Sequence, residues 1–288
     1  MLKLVILCLI IIFLLLFWIW AIKPNHITEE RKALVKPFQD TYIAHRGLFS
    51  NKKKKGQAPL APENSLQAFR LAVEHGYGME MDVQMTKDGK LVVFHDGNLK
   101  RMCGVDGDVL DYTYEELQAF PLKGSEQRIP LFTEVRDLVA GRSPMLIEVK
   151  PEGDCCKTAS LLNEQLKDYK GIYCMESFDP RAVHWYRKNR PDVLRGQLSE
   201  CFPKKAHLHE NIAQLICKNL LLNFWGRPDF IAYNHKHKNQ TSYRLLRKLY
   251  PVFNAAWTIK NQEELEEARD VFSVMIFDSF IPDEGYDE

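Results

Sequence analysis

The segment Met79-Glu80-Met81-Asp82-Val83-Gln84-Met85-Thr86-Lys87-Asp88-Gly89-Lys90-Leu91-Val92-Val93-Phe94-His95-Asp96 decides how the chain is read. Met79–Met85 and Leu91–Phe94 have the composition of strands. The Thr86-Lys87-Asp88-Gly89 link between them is too short for a parallel crossover, and Asp88-Gly89 is a strong hairpin signal. With Asp88 and Gly89 as the two loop residues, Asp82 falls opposite His95. Glu80 shares the face of Asp82 by the period of two. The spacing therefore predicts an antiparallel hairpin that gathers Glu80, Asp82 and His95, with a register that a bulge or a longer loop would shift.

Outward from this hairpin, strand candidates fall at Tyr42–Ala44, Met145–Val149, Ile172–Met175, Leu194–Leu198, Phe230–Tyr233, Phe253–Thr258 and Val274–Phe277. Amphipathic helical patterns separate most of them: 65–75, 132–140, 158–169, 181–189, 243–249 and 263–270. Alternation of this kind marks a parallel α/β domain. No Gly-x-Gly-x-x-Gly or phosphate-loop motif follows a strand, which favours a TIM (β/α)8 barrel over a doubly wound nucleotide-binding sheet. Nine strand candidates exceed the eight that a barrel needs, and the hairpin accounts for the surplus.

From Leu4 to Ile22 every residue is apolar, enough for a helix of roughly 28 Å, and Trp18 and Trp20 fall where an interfacial aromatic belt lies. No small-x-small cleavage site follows. The expected organisation is a transmembrane anchor over 1–23, a polar linker over 24–40, and a catalytic domain over 41–288. Lys23, Arg31, Lys32 and Lys36 outnumber Lys3, which favours a single-pass anchor with the domain in the cytoplasm. Six cysteines outside the anchor form no Cys-x-x-Cys pair and need no disulfide role. A net charge of +1 over 288 residues, 45% of them hydrophobic and 27% charged, argues against a nucleic-acid partner.

Four clusters end strand candidates: His45-Arg46-Gly47, Glu80-x-Asp82, His95-Asp96 and Glu148-x-Lys150. Catalytic groups of TIM barrels gather at strand C-termini. Glu80, Asp82 and Glu148 supply hard oxygen ligands, suited to Mg2+, Ca2+ or Mn2+. His45 and His95 can act as base and acid, and Arg46 and Lys150 can hold a phosphate. Together they describe metal-assisted phosphoester cleavage. His207-x-His209 and His235-x-His237 lie in polar, Lys-rich segments without a carboxylate pattern and do not read as a second metal site.

In these motifs, with Ala61-Pro62-Glu63-Asn64-Ser65, Thr86-Lys87-Asp88-Gly89, Ser177-Phe178 and Ala256-Trp257-Thr258, the chain resembles the glycerophosphodiester phosphodiesterase family over about residues 41 to 282. The resemblance implies that Glu80, Asp82 and Glu148 hold the metal, His45 and His95 form the catalytic pair, and Arg46 and Lys150 contact phosphate. Trp257 is assigned beside the substrate, Glu63 and Asn64 to positioning, and about 97–130 to a small insertion after the second histidine strand. Two features depart from the family pattern. A longer loop carries Lys52-Lys53-Lys54-Lys55, and the closing strand reads Ile276-Phe277-Asp278-Ser279 in place of an ending nearer Thr-Asp-x-Pro. The expected reaction is hydrolysis of glycerophosphodiesters to glycerol-3-phosphate and an alcohol. Its rivals are the same cleavage of lysophospholipids and a barrel that binds phosphodiesters without cutting them.

Overall fold

The computed structural model describes residues 1–50, 61–203 and 207–283, so Lys52 to Lys55 lie outside the described residues. Among the described residues nine strands form one sheet: β1 (Ile43–Ala44), β2 (Gly78–Met85), β3 (Leu91–Val93), β4 (Met145–Val149), β5 (Tyr173–Ser177), β6 (Arg195–Ser199), β7 (Phe230–Asn234), β8 (Phe253–Ile259) and β9 (Val274–Phe277). All but β3 are parallel, and β1 pairs with both β2 and β9, closing an eight-stranded TIM barrel. β3 is the surplus strand. Its antiparallel ladder uses the end of β2, on the edge that β1 occupies only at Gly78 and Met79.

The hairpin register differs by one residue from the sequence expectation. Met85 pairs with Leu91 and Val83 with Val93, so the loop holds three residues, Lys87-Asp88-Gly89. Thr86 explains the extra residue. Its hydroxyl accepts the Lys90 N–H at 2.9 Å and donates to Asp88 at 2.6 Å, while Gly89 takes the left-handed φ of 74° that closes a three-residue turn. Phe94, rather than His95, therefore bonds to the Asp82 carbonyl.

The helices are α1 (Leu2–Ala21), α2 (Glu29–Gln39), α3 (Leu66–Glu74), α4 (Lys100–Cys103), α5 (Tyr114–Leu117), α6 (Phe132–Val139), α7 (Cys155–Gln165), α8 (Pro180–Asn189), α9 (Leu208–Lys218), α10 (Asn223–Gly226), α11 (Thr241–Leu249) and α12 (Gln262–Arg269). The main core lies between the barrel and its helices, where Met79, Met81 and Val83 of β2 meet Phe69, Val135 and Leu162. Alternate residues turn inwards, so Ile43, Leu146, Cys174 and Phe230 line the lumen.

The expected polar linker folds differently from a tether. Thr28 caps α2, accepting the Arg31 N–H at 3.2 Å, and the helix drives Val35 and Phe38 into the lumen core as a plug at the floor of the barrel. Residues 97–130 form α4, α5 and two short 3₁₀ turns around β3. Their own small core packs Leu99, Met102, Val109, Leu117, Leu122 and Ile129 against Val92 and Phe94. Among the described residues one helix, α1, is long and apolar enough to cross a membrane by length and composition, with a mean hydropathy of 3.2 and 6% of that stretch buried.

Candidate active site

His45 and Arg46 follow β1, at the mouth of the barrel. Gly47 takes φ 77°, and its missing Cβ would sit 2.8 Å from the Ala68 backbone, so the turn can lie flat on α3 only with glycine there. Pro62-Glu63-Asn64-Ser65 completes the corner: Ser65 caps α3 by accepting the Ala68 N–H, and Asn64 donates to Asp82 at 2.8 Å. Glu63 receives Arg46 Nη1 at 2.6 Å and is also gripped by Arg101. Burial opposes ionisation of Glu63, but Arg101 and Arg46 hold its carboxyl down at about 2.

Glu80, Asp82 and Glu148 point inwards from β2 and β4, with Asp82 and Glu148 side by side in the parallel ladder. Lys150 Nζ lies 3.3 Å from Asp82 Oδ1 and 3.0 Å from Glu148 Oε1. Burial and the neighbouring Asp82 and Glu148 charges push the Glu80 carboxyl well above its usual range. Burial likewise raises Glu148 to about 7, against the pull of Lys150. Burial would raise Asp82 too, yet Lys150, His95 and Arg46 hold it well below the ordinary carboxylate range.

His45 Nδ1 meets Asp278 Oδ2 at 3.0 Å, and Nε2 lies 3.9 Å from Glu80. Burial, then Arg46, lowers the His45 pKa, with Asp278 opposing. An ionised Asp278 accepts from Nδ1–H, which leaves Nε2 free of its proton and turned to the site. Although the hairpin does not set His95 opposite Asp82, His95 reaches the same pocket. Gln84 Nε2 donates to the carbonyls of Phe94 (2.7 Å) and Asp96 (2.9 Å), fixing the backbone on either side of His95. Asp96 takes His95 Nδ1 at 2.6 Å and is itself held by Arg101.

The pocket, of about 80 Å³, brings together His45, Arg46, Glu80, His95 and Glu148 with Glu176, Phe178 and Trp257. Beyond His45, a larger groove of about 780 Å³ runs past Glu63, Asp278 and Lys260. Trp257 packs edge-on against Phe178 at 5.5 Å, and its buried indole N–H has no acceptor. Sequence reasoning missed three contributors. Glu176, at the end of β5, is buried beside Glu148, and burial with the Glu148 and Asp82 charges raises its carboxyl far above the usual range. Arg101 ties Glu63 to Asp96, and Asp278 holds His45. A carboxylate at a strand end was the available signal for Glu176 and Asp278.

Four buried or nearly buried carboxylates thus face Arg46 and Lys150. Oxygens of Glu80, Asp82 and Glu148 lie within 4.8 Å of one another, and among the described residues no other such group of His, Cys, Asp or Glu is found. Asp82 Oδ1 and Glu148 Oε1 are met by the Lys150 ammonium, at 3.3 and 3.0 Å. Buried, closely spaced carboxylate oxygens suit a hard divalent cation. His207 and His209 instead stack on each other, and His237 accepts the Cys201 N–H.

The sequence profile of the Glycerophosphoryl diester phosphodiesterase family matches residues 45–271. The chain belongs to that family. A glycerophosphodiester phosphodiesterase of Bacillus altitudinis is 41% identical over 163 residues, covering 52% of this chain and 63% of the relative. A rat lysophospholipase D, GDPD1, is 34% identical over 146 residues, covering 46% of this chain and 43% of the relative. The matched regions thus span less than two thirds of those relatives. A phosphodiesterase of Oleispira antarctica, whose structure holds the product sn-glycerol-3-phosphate, shares the fold with a TM-score of 0.65 at 23% identity, covering 83% of this chain and 93% of that one. The matched residues lie within the stretch, about 41 to 282, over which the motifs of the sequence resemble the family.

Proposed function

We propose that this chain hydrolyses glycerophosphodiesters to glycerol-3-phosphate and an alcohol. The observation that carries the reading is the pocket where two carboxylate-held imidazoles face one buried acidic triad. Glu80, Asp82 and Glu148 are the residues to hold Mg2+, Ca2+ or Mn2+. A cation bound there offsets phosphate charge and acidifies the attacking hydroxyl of water or of the adjacent glycerol carbon. Arg46 and Lys150 bind the phosphate oxygens, Glu63 keeps the Arg46 guanidinium in place, and Asn64 steadies Asp82. The unpartnered Trp257 N–H donates to the substrate.

His45, kept neutral by burial, takes the proton of the nucleophile at Nε2, and His95 gives a proton to the leaving alcohol. His45→Ala and His95→Ala should each lower turnover of glycerophosphocholine by about 10²-fold or more. Choline release by the full chain, with each divalent cation in turn, is the measurement. Near-wild-type rates in a folded variant would remove that histidine from the reaction, and no choline with any cation would overturn the activity.

A second reading, cleavage of lysophospholipids by the same pocket, is favoured by α1. We read this helix as a membrane anchor, with the barrel on the cytoplasmic side. A barrel held at a bilayer meets diesters that still carry an acyl chain. Comparing lysophosphatidylcholine with glycerophosphocholine separates the two, and fusing a reporter to the domain tests its side of the membrane.

A further inference from the structure

Helix α9 is built inside out. Leu208, Ile212 and Leu215 recur at i, i+4 and i+7, one helical face, and are 75%, 50% and 57% exposed. No residue of α9 is buried, and its polar Glu210, Asn211 and Gln214 are less exposed than that apolar face. Water is a poor neighbour for three large aliphatic side chains in a row.

The position of α9 narrows what can cover the face. Its last turn is fixed at the mouth: Ser199, ending β6, donates to the Cys217 carbonyl at 2.9 Å, and the Tyr233 hydroxyl donates to the Lys218 carbonyl at 3.1 Å. The path of α1 can be traced against β7, which runs from floor to mouth. Asn25 bonds to Asp229, just before β7, at 2.6 Å. Going backwards, the Ile22 carbonyl receives Asn223, Trp20 stacks on Phe224 at 4.1 Å, and Trp18 Nε1 donates to Ser242 at the start of α11, beyond the end of β7. Towards its N-terminus, α1 therefore climbs from floor to mouth, and its exposed apolar residues before Trp18 project on the mouth side. Ser242 also donates to Asn219, the residue capping α9, at 2.8 Å, so two hydrogen bonds join α1 to α9.

We propose that α9 is an interfacial membrane helix, seated in the headgroup–acyl boundary of the same bilayer that α1 enters, and that the barrel mouth faces this bilayer. The proposal rests on the reading of α1 as an anchor. A path for an acyl chain leads the same way, since Phe202, near the start of α9, meets Phe178 at 5.9 Å and Phe178 meets Trp257 in the pocket. The diester that suits this arrangement is a lysophospholipid taken from the membrane plane.

The test uses the full chain in phosphatidylcholine vesicles that carry a diazirine on one acyl chain, with lysophosphatidylcholine or soluble glycerophosphocholine as substrate. After illumination, mass spectrometry should find lipid adducts on both α1 and α9, and none on Lys188 at the floor end of α8. In the Leu208→Gln, Ile212→Gln, Leu215→Gln variant, α9 adducts and lysophosphatidylcholine turnover should each fall about tenfold, while α1 adducts and glycerophosphocholine turnover stay. Adducts on α1 with none on α9 would overturn the proposal and leave the anchor standing. No adducts on either helix would remove the anchor reading and the proposal with it. Equal loss on both substrates would make α9 a support of the pocket and overturn its role at the membrane.

Discussion

Replacing Asp278 by Asn keeps the size of the group at His45 Nδ1 but removes its charge. Asp278 raises the His45 pKa, while burial and Arg46 lower it. Without the carboxylate the His45 pKa falls further, so the acid limb of the kcat/KM profile should move to lower pH. Turnover on the plateau should drop about tenfold as the imidazole loses its orientation. A pH–rate series on glycerophosphocholine checks both, and an unmoved acid limb would separate His45 from the base. At this scale the sequence is informative where the chemistry is local. Glu80 and Asp82 share a face through strand periodicity, and Glu148 and Lys150 read likewise. The role of Asp278 is not legible beyond its place at a strand end, because its partner is 233 residues away and only barrel closure joins them. Glu176 is missed for a related reason, since it looks like any polar strand end until β4 is laid beside β5.

Among the elements, the β strands and the helices that cover them follow from alternation, and the differences arise where packing decides. Asp88-Gly89 announces a turn but not its length, which the Thr86 hydroxyl sets. Helix α2 is hidden because only Val35 and Phe38 of its charged sequence are buried, with Pro37 between them. The end of α1 also belongs to the folded domain: Ala21 and Ile22 are wholly buried, and Tyr250 donates to the Ile19 carbonyl at 3.0 Å. A chain beginning at Phe17 should keep the stability of the full domain. One beginning at Pro24 should lose on the order of 3 kcal/mol, from an uncovered apolar contact and lost hydrogen bonds. Urea unfolding of the two truncations measures the difference, and equal midpoints would mean that the segment adds nothing to the fold.

For the whole molecule, the acidic triad couples stability to pH and to cations. The folded-state pKa of Glu148 is raised from 4.5 to about 7. Between those values the folded protein retains a proton that the unfolded chain has released, so this group lowers stability as pH rises through that window. Glu80 acts in the same direction. With chelator present, Tm should fall by several degrees from about pH 5 to about pH 7.5. Added Mg2+ or Ca2+ should restore more at the higher pH, because a bound cation must displace the protons. Scanning calorimetry at both pH values tests this. A cation effect that is the same at both would detach the triad from metal binding.

The meeting of β1 and β9 has a consequence for how the protein is made. His45 leaves the ribosome early and its partner Asp278 late, since 233 residues separate them. If α1 inserts as it emerges, the chain waits at the membrane with every residue of the triad already synthesised but the seam between its first and last strands still open. Nascent chains at the lipid surface are then harmless to it, because the barrel is still open and the imidazole that would take the proton of the nucleophile has no carboxylate to orient it. Chains arrested at residue 270 and held in vesicles should release no choline, whereas chains extended past Asp278 by a linker long enough to clear the exit tunnel should.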